Sequence, residues 1–268
     1  MPGTRSPLWT LFILAVVSTT VLAISAAASP HHPLVRHAAA RRAAVTSARH
    51  RTRRHVPDAR RRCPAAPYGP NFYAPGREKT VALTFDDGPG RTTGQVLAIL
   101  RKYRVPGTFF NIGENEADRR TLVRDEAKDG QTLGNHTWNH PDMVRLSASQ
   151  QAAELDETIN EQRSIVGFAP CVFRPPYGDY DATTLRLAQH RRMGVWLWSV
   201  DTEDWMADGS GSAYWVNRII RLAEQEGGAL HHPVVLMHNQ PVGNPATVRA
   251  LPTIIHFFRT RGYHFVSL

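Results

Sequence analysis

From residue 79 onward, apolar residues recur in two alternating patterns. Short apolar runs typical of buried strands occur at 81–85, 108–112, 131–134, 172–173, 195–200, 234–237 and 264–266. Four segments between these runs carry apolar residues at helical spacing: Val96, Leu97, Leu100 and Tyr103; Ala152, Leu155, Ile159 and Val166; Val216, Ile219, Ile220 and Ala223; and Leu251, Ile254, Ile255 and Phe258. Helices that regularly separate apolar strands predict a parallel α/β sheet.

The number of predicted strands limits the choice of architecture. Seven strands within residues 79–268 favour a distorted or incomplete (β/α) barrel. The length of this region suffices for one hydrophobic core. We therefore expect residues 79–268 to form a single catalytic or binding domain.

The chain begins with an apolar segment of a different kind. Residues 8–28 contain no charged side chain, follow Arg5, and end in Ala26-Ala27-Ala28-Ser29. A short basic start, an apolar stretch and small residues at its end are typical of a secretory signal peptide. The stretch is also long enough to span a bilayer. Residues 1–28 are therefore predicted to be either a signal peptide or a membrane anchor, and both predict export from the cytoplasm.

The formal charge of +9 would suit a nucleic-acid-binding protein, but its distribution argues against one. Residues 29–62 contain ten arginines and one acidic residue, whereas residues 63–268 contain 21 basic and 22 acidic residues. The basic segment is rich in alanine and arginine and has few large apolar residues, so it is predicted to be disordered. It is either a solvated spacer or an electrostatic contact with anionic polymers of the cell envelope, and we expect no nucleic-acid partner.

Residues 63–78 form a predicted linker between this basic segment and the domain. Four prolines, Pro64, Pro67, Pro70 and Pro75, predict a stiff segment. Cys63, at its start, and Cys171 are the two cysteines of the sequence. A pair of cysteines in an exported chain permits one disulfide, and two free thiols are the alternative.

Two adjacent carboxylates, Asp86 and Asp87, follow the first predicted strand, which Gly88-Pro89 ends. Like charges this close together raise each other's pKa unless a cation or a hydrogen-bond donor lies between them. Adjacent residues at a strand end also point in different directions. One aspartate can therefore bind a metal ion while the other accepts a proton.

Further residues suited to catalysis follow the later strands. His136 and His140 follow the third strand, Arg174 the fourth, and Asp204 and Trp205 the fifth, and His238 ends the sixth. All of them lie at the C-terminal ends of predicted strands, which is where an α/β barrel collects its active site. The sequence therefore predicts one active site at this end of the barrel.

Five short motifs resemble those of a known family. They are Thr84-Phe85-Asp86-Asp87-Gly88-Pro89, Asn135-His136-Thr137-Trp138-Asn139-His140, Arg174-Pro175-Pro176-Tyr177-Gly178, Asp201-Thr202-Glu203-Asp204-Trp205 and Val235-Leu236-Met237-His238. In this order they resemble the motifs of the polysaccharide deacetylases, carbohydrate esterase family four, over residues 79–268. The resemblance implies a distorted (β/α) barrel and metal-dependent hydrolysis of acetyl groups on sugar polymers.

Asp87, His136 and His140 form the predicted metal site. Two imidazoles and one carboxylate, with a position left open, are typical of catalytic zinc. Cobalt or another transition metal accepts the same ligands, so we expect one divalent metal with zinc as the first choice. The spacing of the two histidines predicts that one helical turn brings their rings onto the same face.

The resemblance also implies roles for the other residues. Asp86 is expected to be the general base, held by the guanidinium of Arg174, which can fork onto a carboxylate. His238 is expected to be the general acid, held by Asp204. The backbone N–H of Tyr177 is expected to bind the oxyanion, and Trp205 and Leu236 are expected to enclose the acetyl methyl group. Asn239 and Gly107 depart from the family pattern, but no role is assigned to either.

These residues predict an extracytoplasmic hydrolase, secreted or anchored at the cell surface. Its expected substrates are N-acetylglucosamine residues of peptidoglycan or chitin-like oligosaccharides. Removal of O-acetyl groups, as by an acetylxylan esterase, would use the same residues. A catalytically silent wall-binding module is the non-enzymatic alternative.

Overall fold

The computed structural model describes residues 63, 65, 66 and 68–268. The predicted signal peptide or anchor, residues 1–28, and the predicted disordered segment, residues 29–62, lie outside the described residues. Within the described part of the chain, no helix is both long enough and apolar enough to cross a membrane.

Strands and helices alternate along the described chain. The strands are β1 (Pro70–Asn71), β2 (Thr80–Gly88), β3 (Thr108–Asn111), β4 (Thr132–Asn135), β5 (Val172–Phe173), β6 (Gly194–Trp196), β7 (Val200–Asp201), β8 (Val234–His238) and β9 (His264–Val266). The helices are α1 (Thr93–Tyr103), α2 (Gly113–Asp118), α3 (Arg120–Lys128), α4 (Ala148–Val166), α5 (Ala182–His190), α6 (Ala213–Gly227) and α7 (Pro245–Thr260). The four predicted helical stripes correspond to α1, α4, α6 and α7. Helices α2, α3 and α5 were not predicted.

The strands form one curled sheet in the order β1-β6-β5-β4-β3-β2-β8-β7, with β9 paired to the start of β2. Each of these strand pairs is parallel. The sheet with its surrounding helices confirms the predicted distorted (β/α) barrel.

The predicted strand 195–200 is wrong as a single strand. Its first part lies in β6, which pairs with β5, and its end belongs to β7, which pairs with β8. The chain bends between them, where the N–H of Leu197 bonds to the carbonyl of Asn71 and that of Ser199 to the carbonyl of Val234. One continuous segment thus joins strands near both ends of the sheet order and curls the sheet around its interior.

The two faces of β2 explain where the core and the site lie. Val81, Leu83 and Phe85 belong to the large apolar cluster formed with α1 and α7. Because side chains alternate along a strand, Thr84 and Asp86 point to the other face, the interior of the barrel. Both are buried, so the interior near the C-terminal end of β2 is polar.

The predicted linker, residues 63–78, packs on the domain where it is described. Cys63 forms a disulfide with Cys171, which directly precedes β5. Strand β1 pairs with β6, and the Asn71 side chain donates a hydrogen bond to the carbonyl of Val195. The bridge that the two cysteines permit is thus present.

A buried acidic cluster lies behind the end of β3. The side-chain amide of Asn111 faces Glu126 at 2.7 Å and Glu116 at 3.4 Å, and all three residues are fully buried. Burial raises the pKa of Glu126 to about 8, although the hydrogen bond from Asn111 opposes the change. Burial and the charge of Glu126 raise the pKa of Glu116 in the same way. Glu126 is therefore protonated in the folded protein at neutral pH.

This cluster predicts a pH-dependent stability. The pKa of Glu126 in the folded protein lies above its ordinary value. Its contribution to the free energy of unfolding is therefore complete in acid and is lost as pH rises from about 4.5 to about 8. Glutamine is a neutral mimic of the protonated acid. Glu126→Gln should therefore reduce the loss of unfolding free energy over this pH range by roughly 3–5 kcal/mol, since one pKa unit corresponds to ~1.4 kcal/mol. Urea unfolding across this pH range measures it.

The matched control is Glu157→Gln, on the exposed side of α4, which should keep the wild-type pH dependence. Parallel stability–pH curves for Glu126→Gln and the wild type would contradict protonation of Glu126.

Candidate active site

The two aspartates at the end of β2 point in different directions because the strand is irregular there. The pairing of β2 with β3 shifts register between Asp86 and Gly88, and Asp87 has a left-handed φ of 65°. Asp86 therefore stays in the barrel interior with 2% of its surface exposed, whereas Asp87 turns towards the histidines. Two adjacent carboxylates thus reach two separate environments.

Arg174 holds Asp86 from the end of β5. Its side chain is fully buried, and Nη1 donates to Oδ1 of Asp86 at 2.8 Å and to Oγ1 of Thr84 at 2.8 Å. The remaining donors bond to the carbonyls of Trp196, at 3.1 Å from Nε, and Leu197, at 2.9 Å from Nη2. The expected forked contact is therefore wrong: one nitrogen of Arg174 holds Asp86, because the other donors satisfy buried carbonyls.

The loop after β4 brings His136 and His140 together without a helix. The predicted helical turn is wrong, since no helix covers these residues and both Thr137 and His140 have left-handed φ values, 67° and 63°. The side-chain oxygen of Asn135 accepts from the N–H of Thr137, which stabilises the tight turn. The two imidazole centroids lie 4.9 Å apart.

A backbone carbonyl fixes the tautomer of His136. Its Nδ1 lies 2.7 Å from the carbonyl oxygen of Arg174, which can only accept, so Nδ1 carries the hydrogen. In the neutral ring, Nε2 then presents a lone pair towards Asp87. Burial and the charge of His136 lower the pKa of His140 to about 4, so the ring of His140 is neutral at neutral pH.

Asp87, His136 and His140 converge as a ligand set. Oδ1 of Asp87 lies 3.3 Å from Nε2 of each histidine, and this buried oxygen has no hydrogen-bond partner among the described residues. Burial raises the pKa of Asp87, but the proximity and charge of His136, with the charges of His238 and His140, bring it below its ordinary value. The carboxylate oxygen and the two ring nitrogens converge on one point, an arrangement that suits a bound cation. The three residues can therefore hold a metal ion.

His238 and Asp204 form a second buried pair. Nδ1 of His238 lies 2.6 Å from Oδ1 of Asp204, and the backbone N–H of His238 donates to Oδ2 at 2.8 Å. Burial alone would lower the pKa of His238. The charge and hydrogen bond of Asp204, assisted by Asp87 and Asp86, instead raise it to about 9. His238 is therefore protonated at neutral pH.

Two residues that we did not predict hold Asp204 in place. The side-chain amide of Asn244 donates to Oδ2 of Asp204 at 3.0 Å, and the hydroxyl of Thr247 donates to the same oxygen. Asn244 also caps α7, where its oxygen accepts from the N–H of Thr247. Asn244 before Pro245 is a helix-start signal just after β8, which could have pointed to this end of the barrel.

These groups surround one cavity of about 380 Å³. Tyr177, Trp205 and Leu236, the predicted substrate-binding residues, line it together with three residues that were not predicted: Pro175, Trp198 and Asp201. Tyr177 has a left-handed φ of 61°, and its ring contacts that of His140 with centroids 4.7 Å apart. Tyr177 and Trp205 are mostly exposed at the mouth, whereas Leu236 is buried below them.

The C-terminal ends of β2, β4, β5 and β8 thus bring the possible metal site of Asp87, His136 and His140, the buried carboxylate of Asp86 and the protonated His238 to one cavity. A parallel α/β barrel with this combination has the design of a metal-dependent hydrolase.

The chain belongs to the polysaccharide deacetylase family. The family model described as polysaccharide deacetylase matches residues 73–196. A peptidoglycan-N-acetylglucosamine deacetylase of Bacillus cereus is 33% identical over 203 residues, which cover 75% of this chain and 71% of that protein.

Other similarities agree with the family. The peptidoglycan-N-acetylglucosamine deacetylase PgdA of Listeria monocytogenes is 32% identical over 191 residues, which cover 71% of this chain and 38% of that protein. The chain therefore spans well under half of this longer relative. A crystal structure of the Bc1960 peptidoglycan N-acetylglucosamine deacetylase, bound to 4-naphthalen-1-yl-N-oxidanyl-benzamide, matches with a TM-score of 0.68 and 32% identity. The match covers 75% of this chain and 91% of that one.

The convergence of three ligands predicts the effect of removing one. Asp87→Ala and His140→Ala should each weaken zinc or cobalt binding by more than about 100-fold, since even indirect changes at metal sites cost 10–100-fold. Calorimetric titration of metal-free protein measures this. His190→Ala, in the exposed end of α5, should bind like the wild type, and unchanged affinity in His140→Ala would contradict the ligand set.

Proposed function

We propose that this protein hydrolyses acetyl groups from N-acetylated sugar polymers in a metal-dependent reaction. Peptidoglycan N-acetylglucosamine residues are the first choice of substrate, and chitin-like oligosaccharides are the second. The observation that carries the proposal is the meeting of Asp86, Asp87, His136, His140 and His238 at one cavity. The similarity to peptidoglycan deacetylases supports the choice of polymer.

Asp87, His136 and His140 would hold one divalent metal, with zinc preferred and cobalt or another transition metal as alternatives. Such an ion supplies a Lewis acid that polarises an acyl carbonyl and lowers the pKa of water. The neutral state of His140 and the fixed tautomer of His136 prepare both rings for this role.

Asp86 would be the general base. Arg174 holds its Oδ1, and the carboxylate also lines the cavity, where Oδ2 lies 3.8 Å from Nε2 of His136. Oδ2 can therefore accept the proton of the attacking water while the guanidinium keeps the carboxylate oriented. The water oxygen bonds to the acetyl carbon.

His238 would be the general acid. Asp204 keeps its ring protonated and orients Nδ1, which leaves Nε2 to face the cavity. As the bond between the acetyl carbon and the sugar nitrogen breaks, Nε2 gives its proton to the nitrogen, and a free amine and acetate leave. An amide needs this proton more than an activated ester does, because an amine leaves poorly as an anion.

The remaining residues would position the acyl group. The backbone N–H of Tyr177 would donate to the carbonyl oxygen as negative charge develops on it. Leu236 and Trp205, one buried and one at the mouth, would enclose the acetyl methyl group.

We further propose an extracytoplasmic location, secreted or anchored at the cell surface, where polymers of this class occur. The export segment, residues 1–28, and the contact of residues 29–62 with anionic envelope polymers stay predictions. The domain boundaries, with a catalytic domain at 79–268, also stay a prediction.

Acetate release from peptidoglycan, chitin oligosaccharides and acetylxylan tests the proposal. The wild type should act on the N-acetylated polymers, and Asp86→Asn should lower the rate about 10²–10⁴-fold with metal still bound, because a positioned base contributes that much. Preference for acetylxylan would favour O-deacetylation instead. Release from none of the three by metal-loaded protein would favour a wall-binding module.

The pairing of His238 with Asp204 predicts the alkaline limb of the pH–rate profile. The acid must be protonated, so the rate should fall as pH rises through the pKa of His238, about 9. Asp204→Asn removes the negative charge that raises this pKa and should move the limb to lower pH by one unit or more. Profiles of kcat/KM with an N-acetylated oligosaccharide measure this, and an unmoved limb would contradict the assignment of His238.

A further inference from the structure

Three aspartates line the cavity, and two of them already face partner side chains. Asp86 bonds to Arg174, and Asp87 faces the two histidines. The third, Asp201, forms no ion pair and no hydrogen bond with another side chain within residues 68–268. One backbone contact engages it: the N–H of Glu203 donates to Oδ1 at 2.8 Å. The carboxylate of Asp201 can therefore accept further hydrogen bonds.

The position of Asp201 makes it available to a ligand in the cavity. It ends β7, beside Leu236 of β8 in the sheet register. The walls nearby include the apolar surfaces of Trp198, Trp205 and Leu236. A hydrogen-bond donor that enters here meets few competing acceptors, so a single acceptor can fix its orientation.

The electrostatic state of Asp201 differs from that of its neighbours. Burial raises its pKa, and the hydrogen bond from Glu203 and the charge of His238 offset this only in part. The carboxylate has thus lost water without gaining an ion pair among the described residues. A neutral donor from a ligand would restore part of the lost solvation.

We propose that Asp201 is a substrate-binding residue that accepts a hydrogen bond from a hydroxyl of the sugar ring whose acetamido group is cleaved. The inference rests on the proposed deacetylase function and deepens it, since it assigns recognition of the sugar, as distinct from the acetyl group, to a named side chain. Small acyl esters that lack sugar hydroxyls cannot make this contact.

Asp201→Asn is the informative substitution. The amide oxygen of asparagine can still accept from the N–H of Glu203, so the turn is preserved, while the second acceptor becomes a donor. Kinetics would be measured with an N-acetylglucosamine oligosaccharide, with its 3-deoxy and 6-deoxy analogues, and with 4-nitrophenyl acetate. The control is Asp208→Asn, which removes one negative charge from an exposed position of the same loop.

With the parent oligosaccharide, Asp201→Asn should raise KM about ten-fold, the usual cost of one hydrogen bond to a charged group. Its loss of kcat/KM should be larger with the oligosaccharide than with the ester. One deoxy analogue should cost the wild type about the same ten-fold and cost Asp201→Asn nothing further, because the two changes remove one shared contact. Asp208→Asn should stay within two-fold of the wild type.

Additive losses with both deoxy analogues, or equal losses with sugar and ester, would overturn the assignment of Asp201 while the deacetylase activity stands. Should Asp201→Asn not fold, the wild type alone decides: equal KM for the parent and both deoxy analogues overturns the proposal. A wild type that releases no acetate from any N-acetylated sugar would overturn the proposed function and this inference together.

Discussion

The buried guanidinium of Arg174 is the constraint on which the rest of the site depends. A fully buried charge is costly unless it is paired and its donors are satisfied. Asp86 supplies the pairing, and Thr84 with the carbonyls of Trp196 and Leu197 supplies the remaining acceptors. These contacts join β2 to the segment where β6 bends towards β7. The polar interior and the curl of the sheet therefore stabilise each other.

Arg174 also links the two chemical parts of the cavity through its backbone. Its side chain orients the carboxylate of Asp86, and its carbonyl accepts from Nδ1 of His136. One residue thereby sets the direction of the Asp86 carboxylate and the tautomer of His136. A change that shifts the end of β5 would disturb both at once, even though β5 contributes two residues to the sheet.

The sequence predicts where the site lies better than how its residues meet. Apolar runs and helical stripes locate the strands, and the shared position of Asp86, His136 and His238 at strand ends follows from the topology of any parallel barrel. The loop that joins His136 to His140 could not be predicted, because it has left-handed residues at two positions and is held by Gly113 and Glu154, which are distant in the sequence. The support of Asp204 by Asn244 was missed for the same reason: the two are far apart in the sequence and meet only in the fold.

The disulfide has a consequence for how the catalytic domain is presented. Cys171 stands at the beginning of β5, whereas Arg174 at the other end of that strand reaches the cavity. Because parallel strands all begin at the same end of a barrel, the bridge fastens the incoming chain to the pole away from the cavity. Cys63 is thus fixed at the end of the barrel opposite the cavity. A polymer strand that reaches the cavity approaches the other end, which carries no disulfide.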